Sequence, residues 1–109
     1  MSRSSTAAVP RTDTSTEVQL EKLYNVMLLN DEDHTYDYVV EMIQKLFGCT
    51  ESRAFSHAVE VDTKGVTILV TCELEKAELK RDQIHAYGPD PLMPRSLGSM
   101  AAIVEPATG

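Results

Sequence analysis

Met27-Leu28-Leu29-Asn30-Asp31-Glu32-Asp33-His34 is the stretch on which the chain turns. Upstream of it, Leu23 to Leu29 (Leu-Tyr-Asn-Val-Met-Leu-Leu) is a short apolar run with a turn-forming end. It reads as a strand, buried on both faces toward its end. Asn30 to Asp33 read as a polar loop. From Thr35 the period changes: Tyr36, Val39, Val40, Ile43, Leu46 and Phe47 recur at spacings of three and four, which is one face of a helix. Asp33 to Thr35 supply N-cap candidates, Asp37 falls in the first turn where the dipole favours anions, and Gly48 is the expected stop. A strand that ends on Asn-Asp and passes at once into a helix sets carboxylates at the edge of a core. Such groups can hold a cation beside an apolar surface, so the junction reads as a place to capture the positively charged end of another polypeptide.

Thr50 can cap a second helix, with Glu51 in its first turn and Ala54, Phe55, Ala58, Val59 and Val61 as its apolar face. Asp62-Thr63-Lys64-Gly65 reads as a turn. Val66 to Cys72 (Val-Thr-Ile-Leu-Val-Thr-Cys) is rich in β-branched residues and reads as a central strand. Glu73 to Tyr87 reads as a third helix, with Leu74, Ala77, Ile84 and Tyr87 on one face. Its other face carries Glu75, Lys76, Glu78, Lys80, Arg81 and Asp82 as mixed-sign pairs at helical spacing. Gly88, Pro89, Pro91, Pro94 and Gly98 mark a long loop, and Ser99 to Val104 a last strand. The expectation is an α+β fold: a small antiparallel three-stranded sheet packed against three helices in the order β-α-α-β-α-β, the helices on one side. Residues 1–20 are rich in serine and threonine with almost nothing to bury, and read as a flexible tail ahead of a domain at 21–109. Such a tail is either a passive extension or a tether that another machine grips.

A length of 109 residues allows one small domain, and 42% apolar content is enough for its core. The net charge of -7 and pI near 4.8 argue against nucleic acid and anionic membrane as partners. They suit a cationic or neutral partner, and equally the ordinary acidity of a cytosolic protein. Cys49 and Cys72 form no Cys-x-x-Cys pair and lie at the edges of apolar segments, where a free cysteine acts as a small hydrophobe. With no signal-like h-region and no run near the ~20 apolar residues of a membrane span, a reducing cytoplasm is the default compartment. The acidic loop fails as a calcium site: EF-hand spacing from Asp31 puts Tyr36 where Gly is needed and Met42 where Glu is needed. There is no Gly-rich phosphate loop and no assembled nucleophile. His34, His57 and His85 are scattered, and the last two read as surface residues. No catalysis, cofactor or metal is expected. What remains is recognition. Asp31 can accept charge-assisted hydrogen bonds from an ammonium and Asn30 can offer its carbonyl oxygen. Val39 lies one turn into the following helix. Ala58 and Val61 can wall an apolar pocket with Asp62 at its edge. The same Asn-Asp pair also reads as a plain turn cap.

Tyr24-Asn25-Val26-Met27-Leu28-Leu29-Asn30-Asp31-Glu32 resembles the tyrosine-apolar-Asn-Asp-acidic opening of the ClpS adaptors. Val39-Val40 with Leu46-Phe47 resembles their first helix, Val61 and Gly65 the turn before their second strand, and Glu75, Glu78 and Lys80 their charged third helix. The likeness runs from about Leu23 to Tyr87. It implies a monomeric, non-enzymatic adaptor that binds N-degrons, proteins whose first residue is Leu, Phe, Tyr or Trp. It would deliver them to a ClpA- or ClpC-type AAA+ unfoldase. By that resemblance Asn30, Asp31 and Asp62 bind the α-amino group. His34, Tyr36, Val39, Ala58 and Val61 line the side-chain pocket. Glu75 and Lys80 dock on the unfoldase's N-terminal domain, and the tail is engaged during hand-over. Three departures from the family pattern stand out. His34-Thr35 replaces a Thr-Pro pair, which removes the preset helix start. Ala58 and Tyr36 stand where the family has methionines, which reshapes the pocket. Asp62 stands where the family has a histidine. Two carboxylates would hold an amine more strongly, and would repel each other in the empty site. These departures motivate an alternative: a regulatory module that docks on the unfoldase without taking N-degrons. A small-molecule-binding or ribosome-associated domain of similar topology is a third reading.

Overall fold

β1 (Leu23–Leu29) runs down the middle of a three-stranded antiparallel sheet of order β2-β1-β3, in a computed structural model that describes residues 22–107. The expected tail at residues 1–20 lies outside the described residues. The element order is β1, α1 (Tyr36–Phe47), α2 (Glu51–Lys64), β2 (Val66–Glu73), α3 (Leu74–His85) and β3 (Ala102–Pro106). This is the expected α+β arrangement, with one change of place. β2, read as central from its β-branched residues, is an edge strand, because β3 pairs with the far side of β1. β-branching reports a half-buried pleated surface and not a position in the sheet.

The side-chain alternation of β1 fixes which face is covered. Val26 and Leu28 are 0% exposed and face the helices, whereas Met27 and Leu29 are only half-buried. The strand is therefore buried on one face, not on both as its apolar run suggests. In β2 the register slips between Ile68, opposite Met27, and Val70, opposite Val26, so Leu69 is the extra residue of a bulge. The bulge lets Thr67 at one end and Val70 and Cys72 at the other turn toward the helices.

Both long helices obey their end signals. The Thr35 and Thr50 hydroxyls accept from the N–H groups of Tyr38 and Arg53, each at 3.2 Å. Gly48 and Gly65 end them at φ 69° and 87°, a conformation that costs only glycine little. The expected turn at Asp62–Gly65 is the last turn of α2, which continues through Lys64 because nothing before Gly65 breaks it. Met42 and Ile43 of α1, Ala54, Ala58 and Val61 of α2, and Ala77 and Ile84 of α3 form the core with Val26 and Leu28. The alanines let the helices lie close. Leu74, placed on the inner face by periodicity, is 41% exposed at the first position of α3. Among the described residues no helix is long and apolar enough to cross a membrane.

The segment between α3 and β3 is an ordered clasp. β3 starts at Ala102, not near Ser99, because Ser99 and Met100 close this loop instead. The Ser99 hydroxyl accepts from Gly88 N–H at 2.6 Å, and Met100 is 2% exposed in the core. The Tyr38 phenol donates to the Gly88 carbonyl at 2.6 Å. At its centre Asp90, 2% exposed, accepts from Thr35 N–H at 2.6 Å and Leu92 N–H at 2.8 Å, and its own N–H donates to the Ser96 hydroxyl at 2.8 Å. A residue 55 positions away thus serves the start of α1. Burial pushes the Asp90 carboxyl up, but the N–H bonds from Thr35 and Leu92 outweigh it and hold the group below the ordinary carboxylate range.

Asp90→Ala strands two N–H donors and should cost about 2 kcal/mol, read as a lower Tm with unchanged cooperativity. Because the folded-state pKa is depressed, the stabilisation is present above the unfolded-state value and lost as pH falls through the folded one. The Tm gap between wild type and Asp90→Ala should therefore narrow on acidification below the ordinary carboxylate range; a gap independent of pH would contradict this role.

Candidate functional site

Where β1 stops, its exit is fixed by backbone bonds. Leu29 N–H donates to Ala101 O and Asn30 N–H to Gly65 O, each at 3.0 Å. The second bond sets Asn30 against the C-terminal end of α2, one turn from Asp62. The Asn30 side chain is exposed. The Asp31 carboxylate is turned back onto its own loop: Oδ1 accepts from Asp33 N–H at 2.9 Å, and both oxygens lie 2.9 Å from Nδ1 of His34. Asp31 keeps 31% of its side chain exposed while His34 keeps 4%. The other His34 nitrogen, Nε2, lies 2.7 Å from the Gly98 carbonyl oxygen. Arg95 crosses the mouth of the loop, with Nε 3.0 Å from the Asp33 carboxylate and a guanidinium N–H donated to Glu32 O at 2.7 Å.

The residues expected to wall an apolar pocket belong to the core beside this polar edge. Val39 of α1 and Ala58 and Val61 of α2 are all buried, with exposures of 5% or less. Tyr36, in the first turn of α1, reaches across to α2. Its phenol donates to Asp62 Oδ2 at 2.6 Å, and its ring lies 5.7 Å from that of Phe55. The bond to Asp62 leads in raising the phenol pKa, since ionisation would remove the donor and face a carboxylate. Asn30, Asp31, Asp62, Tyr36, Val39, Ala58 and Val61 thus gather at one end of the α1–α2 pair. His34 points away from that wall, toward Asp31, Gly98 and the Tyr38 ring 4.6 Å off. Between α1 and α2, on the side away from the sheet, Tyr36, Val40 and Phe55 line an open groove of about 650 Å³ rimmed by Asp37, Glu41 and Glu51.

The charged face of α3 is split. Glu75 is exposed, next to Leu79, which is 55% exposed. Lys80 instead folds inward: its ammonium donates to the Leu46 carbonyl at 2.5 Å and sits 5.2 Å over the Phe47 ring, where it serves the C-terminal end of α1. Of the two histidines read as surface residues, His85 is exposed and His57 is not. His57 is half-buried, with Nδ1 2.8 Å from the hydroxyl of the buried Thr67, which in turn donates to Glu60 at 2.5 Å. Burial leads in lowering the His57 pKa. His85 accepts from Ala102 N–H at 3.1 Å and so ties α3 to β3. Among the described residues no three His, Cys, Asp or Glu side chains converge as a metal set.

Sequence reasoning missed the long-range contacts that lock this end of the fold. Tyr36–Asp62, His34–Gly98, Asp90–Thr35 and Arg95–Asp33 all join residues far apart in the chain, which no periodicity reveals. The one local signal was Gly88-Pro89-Asp90-Pro91: an aspartate between two prolines is a cap held in a fixed place.

A family model described as "ATP-dependent Clp protease adaptor protein ClpS" matches residues 19–94. The ATP-dependent Clp protease adapter protein ClpS of Nautilia profundicola is 35% identical over 69 residues, covering 63% of this chain and 71% of that one. The ClpS of a Synechococcus species is 28% identical over 81 residues, covering 73% and 89%. Among solved structures, that of Agrobacterium tumefaciens ClpS2 bound to L-phenylalaninamide superposes with a TM-score of 0.69 at 25% identity, over 80% of this chain and 99% of that chain. The family match covers most of the chain and includes β1, the acidic loop, all three helices and β2: the chain belongs to the ClpS family of Clp protease adaptors.

Proposed function

We propose that this chain binds the free α-amino group and large apolar first side chain of N-degron proteins and delivers them to a ClpA- or ClpC-type AAA+ unfoldase in the cytoplasm. The observation that carries the reading is the pinned Asn30–Asp31 exit of β1, set by the Asn30–Gly65 bond beside the buried wall of Val39, Ala58 and Val61. Asn30 and Asp31, with Asp62, receive the ammonium; Tyr36 and the three wall residues receive the side chain. The relative bound to L-phenylalaninamide supports this, since that ligand joins a free amine to a large apolar side chain. Burying such a side chain contributes about 1.5–3 kcal/mol, and each hydrogen bond to the ammonium a similar amount. Together these approach the ~8 kcal/mol of micromolar binding before ordering costs. The exposed Glu75 face of α3 docks on the unfoldase's N-terminal domain, and Lys80 holds that face against α1.

A second reading has its own observation. The Tyr36 phenol donates to Asp62, and its ring spans the two helices. If that bond never opens, the chain is a docking-only regulator. Fluorescence anisotropy with labelled peptides that differ in the first residue, each with a free and an acetylated amine, separates the two. Binding confined to free-amine peptides starting with Leu, Phe, Tyr or Trp is the expected result; none across the panel would leave the regulator.

Asp31→Ala should weaken free-amine peptide binding by about ten- to a hundredfold, the loss of one charge-assisted hydrogen bond. Retained affinity would count heavily against amine capture at this loop. Tyr36→Phe releases Asp62 while keeping the ring, so it should tighten the same binding by about three- to tenfold. Weaker binding in that variant would make the phenol a substrate contact and not a competitor. Glu75→Lys should abolish capture by a ClpA- or ClpC-type N-terminal domain while peptide affinity stays unchanged. Loss of both activities together would point to misfolding or to a shared surface.

A further inference from the structure

His34 stands where the family pattern has a threonine, and its ring is used at both ends. Nδ1 lies 2.9 Å from both oxygens of Asp31, and Nε2 lies 2.7 Å from the Gly98 carbonyl oxygen. Carboxylate and carbonyl oxygens only accept, so in these contacts it is a ring N–H that donates. The Ser96 hydroxyl, 3.3 Å from Nε2, adds a third polar neighbour. Only 4% of the His34 side chain is exposed, and the Tyr38 ring packs 4.6 Å from it.

Gly98 does not float. It belongs to the clasp between α3 and β3, which Asp90 fastens to Thr35, Ser96 to Asp90, Ser99 to Gly88, and Arg95 to Asp33 and Glu32. The connection from this clasp to the acidic loop therefore runs Gly98 O, His34 ring, Asp31 carboxylate. On that carboxylate Oδ1 also accepts from Asp33 N–H, whereas among the described residues Oδ2 meets His34 alone. A carboxylate oxygen carries two lone pairs, so Oδ2 keeps a free direction.

We propose that His34 is a positioning residue that aims Asp31 Oδ2 at the incoming α-amino group, with the 86–101 clasp as its anchor. This rests on the reading of Asn30–Asp31 as the amine site and names what sets its geometry. A carboxylate on an unsupported loop samples several rotamers and must be ordered when the amine arrives. Here the ordering is done on folding. The clasp takes over what a helix-opening proline does by fixing the chain: Asp90 holds Thr35, and His34 holds Asp31.

The test is the affinity of a peptide beginning with Phe, measured with a free and with an acetylated amine, for wild type and three variants. The readout is the ratio of the two affinities. A merely structural role of His34 would lower both affinities and leave the ratio alone. Wild type should prefer the free amine by at least about tenfold. His34→Ala should bring the ratio down about tenfold. His34→Asn, whose amide nitrogen stands where Nδ1 stood, should restore it, and His34→Gln, whose nitrogen reaches toward Gly98 instead, should not. A wild-type preference that His34→Ala keeps, or that His34→Asn loses as fully as His34→Ala, would overturn the inference alone. No wild-type preference would overturn the amine-site reading and this inference with it. If the variants fail to fold, the ring nitrogens of His34 in the wild-type protein serve. Their nitrogen-15 shifts should move on saturation with L-phenylalaninamide and stay in place with its N-acetyl form. Shifts that stay in place with both would overturn the proposal.

Discussion

Where β1 ends, two backbone N–H groups carry its two ladders one step past the assigned strand pairs, and a third, at Thr35, finds its acceptor in a side chain. Leu29 takes Ala101 O, Asn30 takes Gly65 O, and Thr35 takes the Asp90 carboxylate. Those acceptors belong to the approach to β3, the end of α2 and the clasp after α3. Three later segments of the described chain therefore meet at one junction of a few residues. The left-handed turn at Gly65 matters here because it puts that carbonyl within reach of Asn30. The buried Asp90 matters because it is both loop centre and helix cap.

This convergence explains why an acidic loop can be rigid. Asp31, Glu32 and Asp33 repel one another, and the local bond from Asp33 N–H to Asp31 Oδ1 is reinforced by residues outside the run. Arg95 bridges Asp33 and Glu32, while His34 engages Asp31. The arrangement leaves Asn30 and one side of Asp31 facing outward beside an apolar wall. On the opposite rim Asp62 is engaged by Tyr36. Two carboxylates near one junction are tolerable because each has a donor within the protein.

Much of this was legible in the sequence. The limits of β1 and the caps Thr35, Thr50, Gly48 and Gly65 followed from period and turn chemistry. Strand order did not, because Val66–Cys72 carries a pattern that suits either an edge or a centre. The start of β3 was misplaced because Ser99 and Met100 look strand-like but are spent on Gly88 and the core. Lys80 read as a free charge, yet its long apolar stem carries the ammonium to the Leu46 carbonyl. Tertiary hydrogen bonds between charged or polar side chains leave no periodic trace, and those are what distinguish this site.

The central claim is that the junction at the end of β1 is the amine site, and a two-dimensional NMR titration with L-phenylalaninamide addresses it in one step. The backbone amides of Asn30, Asp31, Gly65 and the last turn of α2 should shift and saturate together, and N-acetyl-phenylalaninamide should leave them unmoved. Saturable shifts confined to another face, or no shift at ligand concentrations well above the micromolar range, would contradict it.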